Sequence, residues 1–312
     1  MPMTRAVVVD PSHTDRLTLQ QVELPAALPS DVTVRVTAIS LNRGEVNRAL
    51  SQSVAGARPG WDFVGTIEAA AADGSGPQSG TRVVGMLPTG AWAQLIRAPS
   101  DAVAAVPASV TDAQAATLPV AGLTALHAIR QGGLLLGRKV LIDGATGGVG
   151  QLAATAGADV YAHIRRAEQA SVISEWCDDR VIIGADLRAA AARGPYHLIL
   201  DSVGGSALAA ALSMLQPNGT CVTFGVSESP TATFESGAFF RQGGVRLYGL
   251  ILFHELRQGE PAGEGLAILL REIAVGRLRP LIEIEAPWTD IASIARRLLA
   301  REFAGKAVLH VG

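Results

Sequence analysis

The 312-residue chain has only two cysteines, Cys177 and Cys221. Two thiols are too few for a disulfide framework and their spacing assigns no pairing, so reduced thiols in a cytosol are the expectation. Residues 1 to 120 contain no cysteine and one histidine, His13. A catalytic zinc takes about three ligands from cysteine, histidine and carboxylate around an open position, and this stretch offers no such set. A four-cysteine lobe for a structural zinc is missing from the whole chain. The three tyrosines, Tyr161, Tyr196 and Tyr248, lie in the later half, so the first third has no phenol to deliver a proton.

A surplus of one charge is missing too. With 17% charged residues and a net charge of -2, the chain has no basic stripe for a nucleic acid. The longest weakly charged stretch, Ala113 to Ile129, contains Pro119, Gly122 and His127 and falls short of a membrane span. The opening MPMTRAVVVDPSH lacks a basic segment followed by a long apolar one, and Pro11 interrupts its early apolar run. A cytoplasmic protein with no membrane partner is the expectation.

What the chain does have is length and pattern. Its size favours two domains, each able to bury a core. Short apolar runs between turn residues predict strands at Arg5 to Asp10, Leu17 to Leu24, Val32 to Asn42, Phe63 to Ala70, Arg82 to Leu87 and Ala91 to Ala98. From Thr111, where TDAQ has the form of a capping box, the pattern turns helical. Strands at Val140 to Asp143, Val160 to His163, Val181 to Ile183, Leu198 to Asp201, Cys221 to Phe224 and Val245 to Leu252 then alternate with helices. That order predicts an α/β fold with a doubly wound parallel sheet beside a mostly β domain. The tail adds a helix ending near Val275, a strand Leu281 to Ile284, a helix Asp290 to Arg301 and a strand Ala307 to Val311. The predicted organisation is residues 1–120 and 253–312 for the mostly β domain, and residues 121–252 for the parallel sheet.

Within VLIDGATGGVGQLAATAGADVYAHIRR, the positions of a Gly-x-Gly-x-x-Gly dinucleotide turn are Ala145, Gly147 and Gly150, with Thr146, Gly148 and Val149 between them. The pattern needs a small residue first, a glycine where the backbone approaches a pyrophosphate, and a glycine where helix meets strand. The helix that follows points free N–H groups at the phosphates. A plain strand-to-helix turn is the other reading, and the position inside a βαβ unit favours the cofactor. An NAD site places Asp or Glu at the end of the next strand, but this chain offers His163, Arg165 and Arg166, which suits the 2′-phosphate of NADPH. A charge-assisted hydrogen bond contributes roughly 1.5–3 kcal/mol, on the order of tenfold or more in affinity. A solvated basic pair ahead of a helix is the alternative.

These segments together resemble the medium-chain dehydrogenase/reductase superfamily, in its zinc-free quinone oxidoreductase and enoyl reductase branch. The likeness rests on SLNRGEVNRAL with GWDFVGTIEAA, LPVAGLTALHAI, GATGGVGQLA, LDSVGG, GTCVTFG and REFAGKAVLHV, and it covers almost the whole length. The resemblance implies a GroES-like substrate domain beside a Rossmann domain. It carries the substrate-side polar role to Asn42, with Glu45 nearby, against the alternative of a satisfied turn; Asn47 stands where some relatives carry a proton-donating tyrosine. It places Thr124, Ser202, Val203, Phe224 and Gly225 beside the cofactor, and Leu250 and Leu252 against the nicotinamide unless they are simply core. Several departures accompany it. The helix after the glycine turn is about one turn short, Gly184 replaces a tyrosine that often stacks near the adenosine, and Asp143 puts a negative charge beside the phosphate turn.

Without a metal to polarise a simple carbonyl, hydride transfer is easiest to an acceptor that is already electrophilic. The reading is therefore a zinc-independent, NADPH-dependent reductase of quinones or α,β-unsaturated carbonyls. Its rivals are a dedicated enoyl or enone reductase of a biosynthetic pathway and an NADPH-binding protein without turnover. By resemblance, the strand Val245 to Leu252 lies at the sheet edge and pairs two copies into a homodimer.

Overall fold

The computed structural model describes residues 2–144 and 153–312. The chain forms two compact units, Met1–Leu123 with Leu256–Gly312 and Thr124–Glu255. It passes between them within the helices Leu123–Arg130 and Leu252–Gln258. No helix among the described residues is long and apolar enough to cross a membrane.

The first unit begins with β1 (Met3–Val9) and β2 (Leu17–Glu23), an antiparallel two-stranded sheet. A seven-stranded sheet follows from β3 (Asp31–Ser40), β4 (Asp62–Ala69), β5 (Arg82–Met86), β6 (Leu95–Pro99) and β7 (Val103–Ala105). Along β3, Val32, Val34 and Val36 are buried while Asp31, Thr33 and Arg35 are not, the two-residue alternation of a half-covered strand. The valines join Phe63, Ile67 and Trp92 in one core, each large apolar side chain contributing roughly 1.5–3 kcal/mol by burial. β4 lies against β3 only because residue 65 is glycine: a Cβ there would stand 2.1 Å from the Arg35 carbonyl oxygen.

The sequence reading placed a strand from Ala91, but β6 starts at Leu95. The stretch before it is spent on other partners: Ala91 N donates to Gly60 O, the Trp92 carbonyl accepts from Val7 N, and Trp92 is fully buried. A larger difference follows β3. Arg43–Ser51 is a helix, not a turn, with Asn42 as its N-cap and Glu45 in its first turn.

The second unit is a six-stranded parallel sheet of β8 (Lys139–Asp143), β9 (Asp159–Ile164), β10 (Val181–Ile183), β11 (Tyr196–Asp201), β12 (Leu215–Thr223) and β13 (Arg246–Gly249). Its spatial order is β10-β9-β8-β11-β12-β13. Renumbered from its own first strand, that is 3-2-1-4-5-6, the doubly wound order that the alternating pattern predicts. Leu141, Ile199 and Cys221 are buried in the sheet, as expected of strands covered on both faces.

One element differs from its prediction here. The apolar run from Val245 predicts a single strand to Leu252, whereas β13 ends at Gly249 and Leu252 opens the helix Leu252–Gln258. Leu250 N still donates to Thr223 O, after which the Ile251 carbonyl accepts from His254 N and Glu255 N. Short apolar runs do not separate strand from helix by period alone.

The last segment returns to the first unit. The helix Ala262–Ala274 buries Leu266, Leu269 and Leu270. Strand β14 (Ile282–Pro287) pairs in parallel with β15 (Lys306–His310), which pairs antiparallel with β3 and so joins both strands to the larger sheet, with β14 at its edge.

Candidate active site and cofactor edge

Register sets four polar residues in a row across the carboxyl edge of the parallel sheet. His163 of β9 lies opposite Asp143 of β8, Asp143 opposite Asp201 of β11, and Asp201 opposite Thr223 of β12. Opposed residues of parallel strands share a face, so these side chains form one ladder. His163 Nδ1 lies 2.8 Å from Asp143 Oδ1, and its Nε2 lies 3.1 Å from the Gly184 carbonyl oxygen. Asp201 accepts from Val203 N at 3.0 Å, Gly204 N at 3.0 Å and Thr223 Oγ1 at 2.9 Å. Burial raises the Asp201 carboxyl above the usual carboxylate range and nearby Asp143 adds to the rise, while the three bonds oppose it. Strand order reverses between β8 and β11, and open α/β sheets bind ligands in the crevice outside the strand ends at such a point.

The loops that leave this edge are drawn together. Ser202 Oγ donates to the Asp143 carbonyl at 3.2 Å, and Glu228 N donates to Val203 O at 2.9 Å. Gly225 passes so close to Ser202 that a Cβ would stand 2.7 Å from its carbonyl oxygen; Gly144, at φ +78°, would bring one within 2.8 Å of Ser202 Oγ. Ser202, Val203, Phe224 and Gly225 therefore sit in one cluster past the ends of β11 and β12. Thr124 is half-buried in the helix Leu123–Arg130. Leu250 and Leu252 are both buried. Ala145, Thr146, Gly147, Gly148, Val149 and Gly150, the turn on which the cofactor expectation chiefly rests, lie outside the described residues.

At the end of β9 the three basic positions separate. Arg165 and Arg166 are exposed, and Arg165 meets Glu228 across 3.4 Å with both side chains about two-fifths open to solvent. Solvent screens such a pair, so it holds Arg165 weakly. His163 is not the exposed phosphate contact expected from the sequence. Its ring is 2% exposed and both nitrogens are engaged within the protein, so no donor is left for an outside anion.

The substrate-side candidates sit in a buried polar network of the first unit. Asn42 Nδ2 donates to Glu45 Oε1 at 2.9 Å and to Asp62 Oδ2 at 2.7 Å, and its Oδ1 accepts from Lys306 Nζ at 2.6 Å. Asp62, wholly buried, also accepts from Ser40 Oγ at 2.7 Å and Val120 N at 3.0 Å, with Lys306 Nζ 3.5 Å away. Glu45 Oε1 accepts a second bond, from Asn42 N, while Oε2 is buried without a hydrogen-bond partner among the described residues. Burial pushes the Glu45 carboxyl well above the usual range and the Asp62 carboxylate pushes it further, against the pull of Lys306 and the Asn42 bonds. Both amide hydrogens of Asn42 are spent inside the network, so the substrate-side donor role that the resemblance gave it is not available in this arrangement. Asn42 and Glu45 instead build the start of the helix Arg43–Ser51. Asn47 lies on the exposed face of that helix, its carbonyl accepting from Ser51 Oγ at 2.6 Å.

Asp62 and Lys306 were missed by sequence reasoning. Lys306 lies 244 positions beyond Asp62, and no local pattern joins them. The helix was legible: Asn42 with Glu45 three positions on has the form of a capping box.

Two family models cover most of the chain. Residues 28–108 match the alcohol dehydrogenase GroES-like domain and residues 176–309 match a zinc-binding dehydrogenase domain. The chain belongs to the medium-chain dehydrogenase/reductase superfamily. The superfamily is NAD(P)-dependent. Among solved structures, the fold is similar to AibC at a TM-score of 0.87, with 24% identity, covering 99% of this chain and 96% of that one. A mycobacterial protein complexed with NADPH gives a TM-score of 0.85 at 25% identity, covering 98% and 99%. The CurK enoyl reductase gives 0.84 at 23%, covering 99% of each chain. By sequence, the chain is 31% identical over 91% of its length to a mycocerosic acid synthase-like polyketide synthase of Mycobacterium tuberculosis. It is 32% identical over 90% to a spectinabilin polyketide synthase system protein of Streptomyces orinoci. The chain spans only 14% and 13% of the length of those two relatives.

The metal named in the second family description does not suit the residues present. In the first unit, Asp62 and Glu45 are committed to Ser40, Asn42, Val120 and Lys306, and no thiol or imidazole joins them. Among the described residues no group of three or more histidine, cysteine, aspartate or glutamate side chains is placed to hold a metal ion.

Proposed function

We propose that this chain is a zinc-independent reductase that uses NADPH to reduce a quinone or the activated C=C bond of an α,β-unsaturated carbonyl. The observation that carries the cofactor choice is the end of β9. Arg165 and Arg166 are exposed there; Glu228 pairs with Arg165 only across 3.4 Å at the surface, and Asp143 faces His163. An acid for the adenosine ribose hydroxyls is therefore replaced by two cations suited to a 2′-phosphate. NADPH, when bound, supplies the hydride. The chain's part is to place the cofactor along the carboxyl edge through Ser202, Val203, Phe224 and Gly225, and to exclude competing chemistry.

The free cysteines Cys177 and Cys221 are both buried, which suits the reducing cytoplasm that is part of this proposal. A homodimer through β13 is part of it as well. That strand is the edge of its sheet, and Leu247 in it, Ile251 after it and Phe240 before it are exposed.

A second reading is a reductase dedicated to an enoyl thioester of a biosynthetic pathway, favoured by the 31% and 32% identity to segments of polyketide synthases. The test follows NADPH and NADH oxidation by purified, chelator-treated protein with quinones, enones and enoyl thioesters. Turnover of quinones or simple enones supports the first reading and turnover of thioesters alone the second. NADPH binding without turnover of any acceptor would make the chain a cofactor-binding protein.

A further inference from the structure

The proton count of the His163 ladder can be derived from its partners. The Gly184 carbonyl only accepts, so His163 Nε2 carries a hydrogen. Nδ1 and Asp143 Oδ1, 2.8 Å apart, have one further hydrogen between them. On the nitrogen it makes an imidazolium beside a carboxylate; on the oxygen it makes an imidazole beside a carboxylic acid. In both cases the pair is neutral. This neutrality matters because of where Asp143 stands. It is the last residue of β8, at the switch point, and both its side chain and that of His163 are about 97% buried. Its Oδ2 has no hydrogen-bond partner among the described residues, and the neighbour on its other side is a second acid, Asp201. Arg165, two residues beyond His163, is paired with Glu228. The charge of Asp143 is thus cancelled by His163 alone among the described side chains that bond to it.

We propose that His163 is a specificity-determining residue that acts through Asp143: by cancelling that carboxylate it removes one buried negative charge from the cofactor edge and so favours the 2′-phosphate of NADPH. The inference rests on the NADPH reading above. NADH carries the same pyrophosphate without the 2′-phosphate, so an uncompensated Asp143 charge penalises NADPH more than NADH. For an added phosphate charge near −2 acting on a single carboxylate through partly screening surroundings, the difference is roughly five- to tenfold in affinity.

The experiment measures dissociation constants of NADPH and NADH by nucleotide fluorescence for the full chain and three variants. His163→Gln keeps a donor toward Asp143 and removes the ring's ability to carry charge; the NADPH preference is expected to fall five- to tenfold. Asp143→Asn added to His163→Gln removes the uncompensated charge and is expected to restore the preference to within about twofold. Asp143→Asn alone is expected to leave the preference at or above the original value, which keeps the test open should His163→Gln not fold. A structural role for the pair would weaken both cofactors alike and leave their ratio unmoved, and that result, or a double variant without recovery, overturns the inference while the NADPH reading stands. A ratio that falls in Asp143→Asn alone overturns it as well. If the original chain binds NADH as tightly as NADPH, the reading beneath the inference is what fails.

Discussion

Lys306 Nζ donates a 2.6 Å hydrogen bond to Asn42 Oδ1 across 264 positions of sequence. The same ammonium donates to the Leu41 carbonyl at 3.0 Å and stands 3.5 Å from Asp62. Two hydrogen bonds and one ion pair from a single ammonium thus tie the terminal strand β15 to the junction of β3 and the helix Arg43–Ser51. The contact also fixes which way the Asn42 amide points, because its oxygen must face Lys306 and its nitrogen the two acids.

Removing that cation should unfold the first unit readily. Lys306→Met leaves Asp62 buried with an uncompensated charge, and breaking one partner of such a pair costs about 3–5 kcal/mol. Urea denaturation should show the loss as a lower midpoint with an unchanged slope. A change below about 1 kcal/mol would mean that the network is wetter and weaker than its geometry indicates.

Glu45 gives a pH signature. Its carboxyl titrates well above its ordinary value of 4.5 in the folded chain because burial and Asp62 disfavour the charged form. The contribution of a group raised on folding is complete below the unfolded value and is lost as pH rises through the folded one. Stability attributable to Glu45 should therefore decline as pH rises from about 4.5. Glu45→Gln should flatten that decline while leaving the fold intact. Identical pH profiles for the two chains would refute the assignment.

The double variant Arg165→Ala, Arg166→Ala should weaken NADPH on the order of tenfold and NADH hardly at all. Equal losses for the two cofactors would return both residues to solvated surface charges.

For the β13 edge, Leu247→Arg should convert a dimer to monomers in light scattering, since a charge on an exposed edge strand opposes pairing. A mass equal to one chain before substitution would already dismiss the dimer.

The parallel sheet was readable in the sequence because each of its strands is a short apolar run bounded by turns, as with Val140 to Asp143 and Leu198 to Asp201. Its edge was only half readable. The sequence places His163 next to Arg165 and Arg166 and invites a single basic cluster. The fold sends the imidazole inward because alternation along β9 turns it to the covered face, where the register presents Asp143. The Asn42 site was legible in its residues and misread in its use. Nothing in SLNRGEVNRAL shows that Asp62 and Lys306 will consume the amide, since those partners arrive from β4 and β15 only when the sheet forms. The run after Val245 fails differently: an apolar segment reads as one strand, and only the hydrogen bonds to the Ile251 carbonyl reveal where the helix begins.

The central claim is that this chain reduces an electrophilic acceptor with NADPH and without zinc. Its most direct test is the rate of NADPH oxidation by chelator-treated protein offered a quinone, an enone and an enoyl thioester, with NADH in parallel. Turnover of at least one acceptor is expected, with a clear preference for NADPH and undiminished by the chelator. Activity that vanishes with the chelator and returns with zinc, or equal use of NADH, would contradict it.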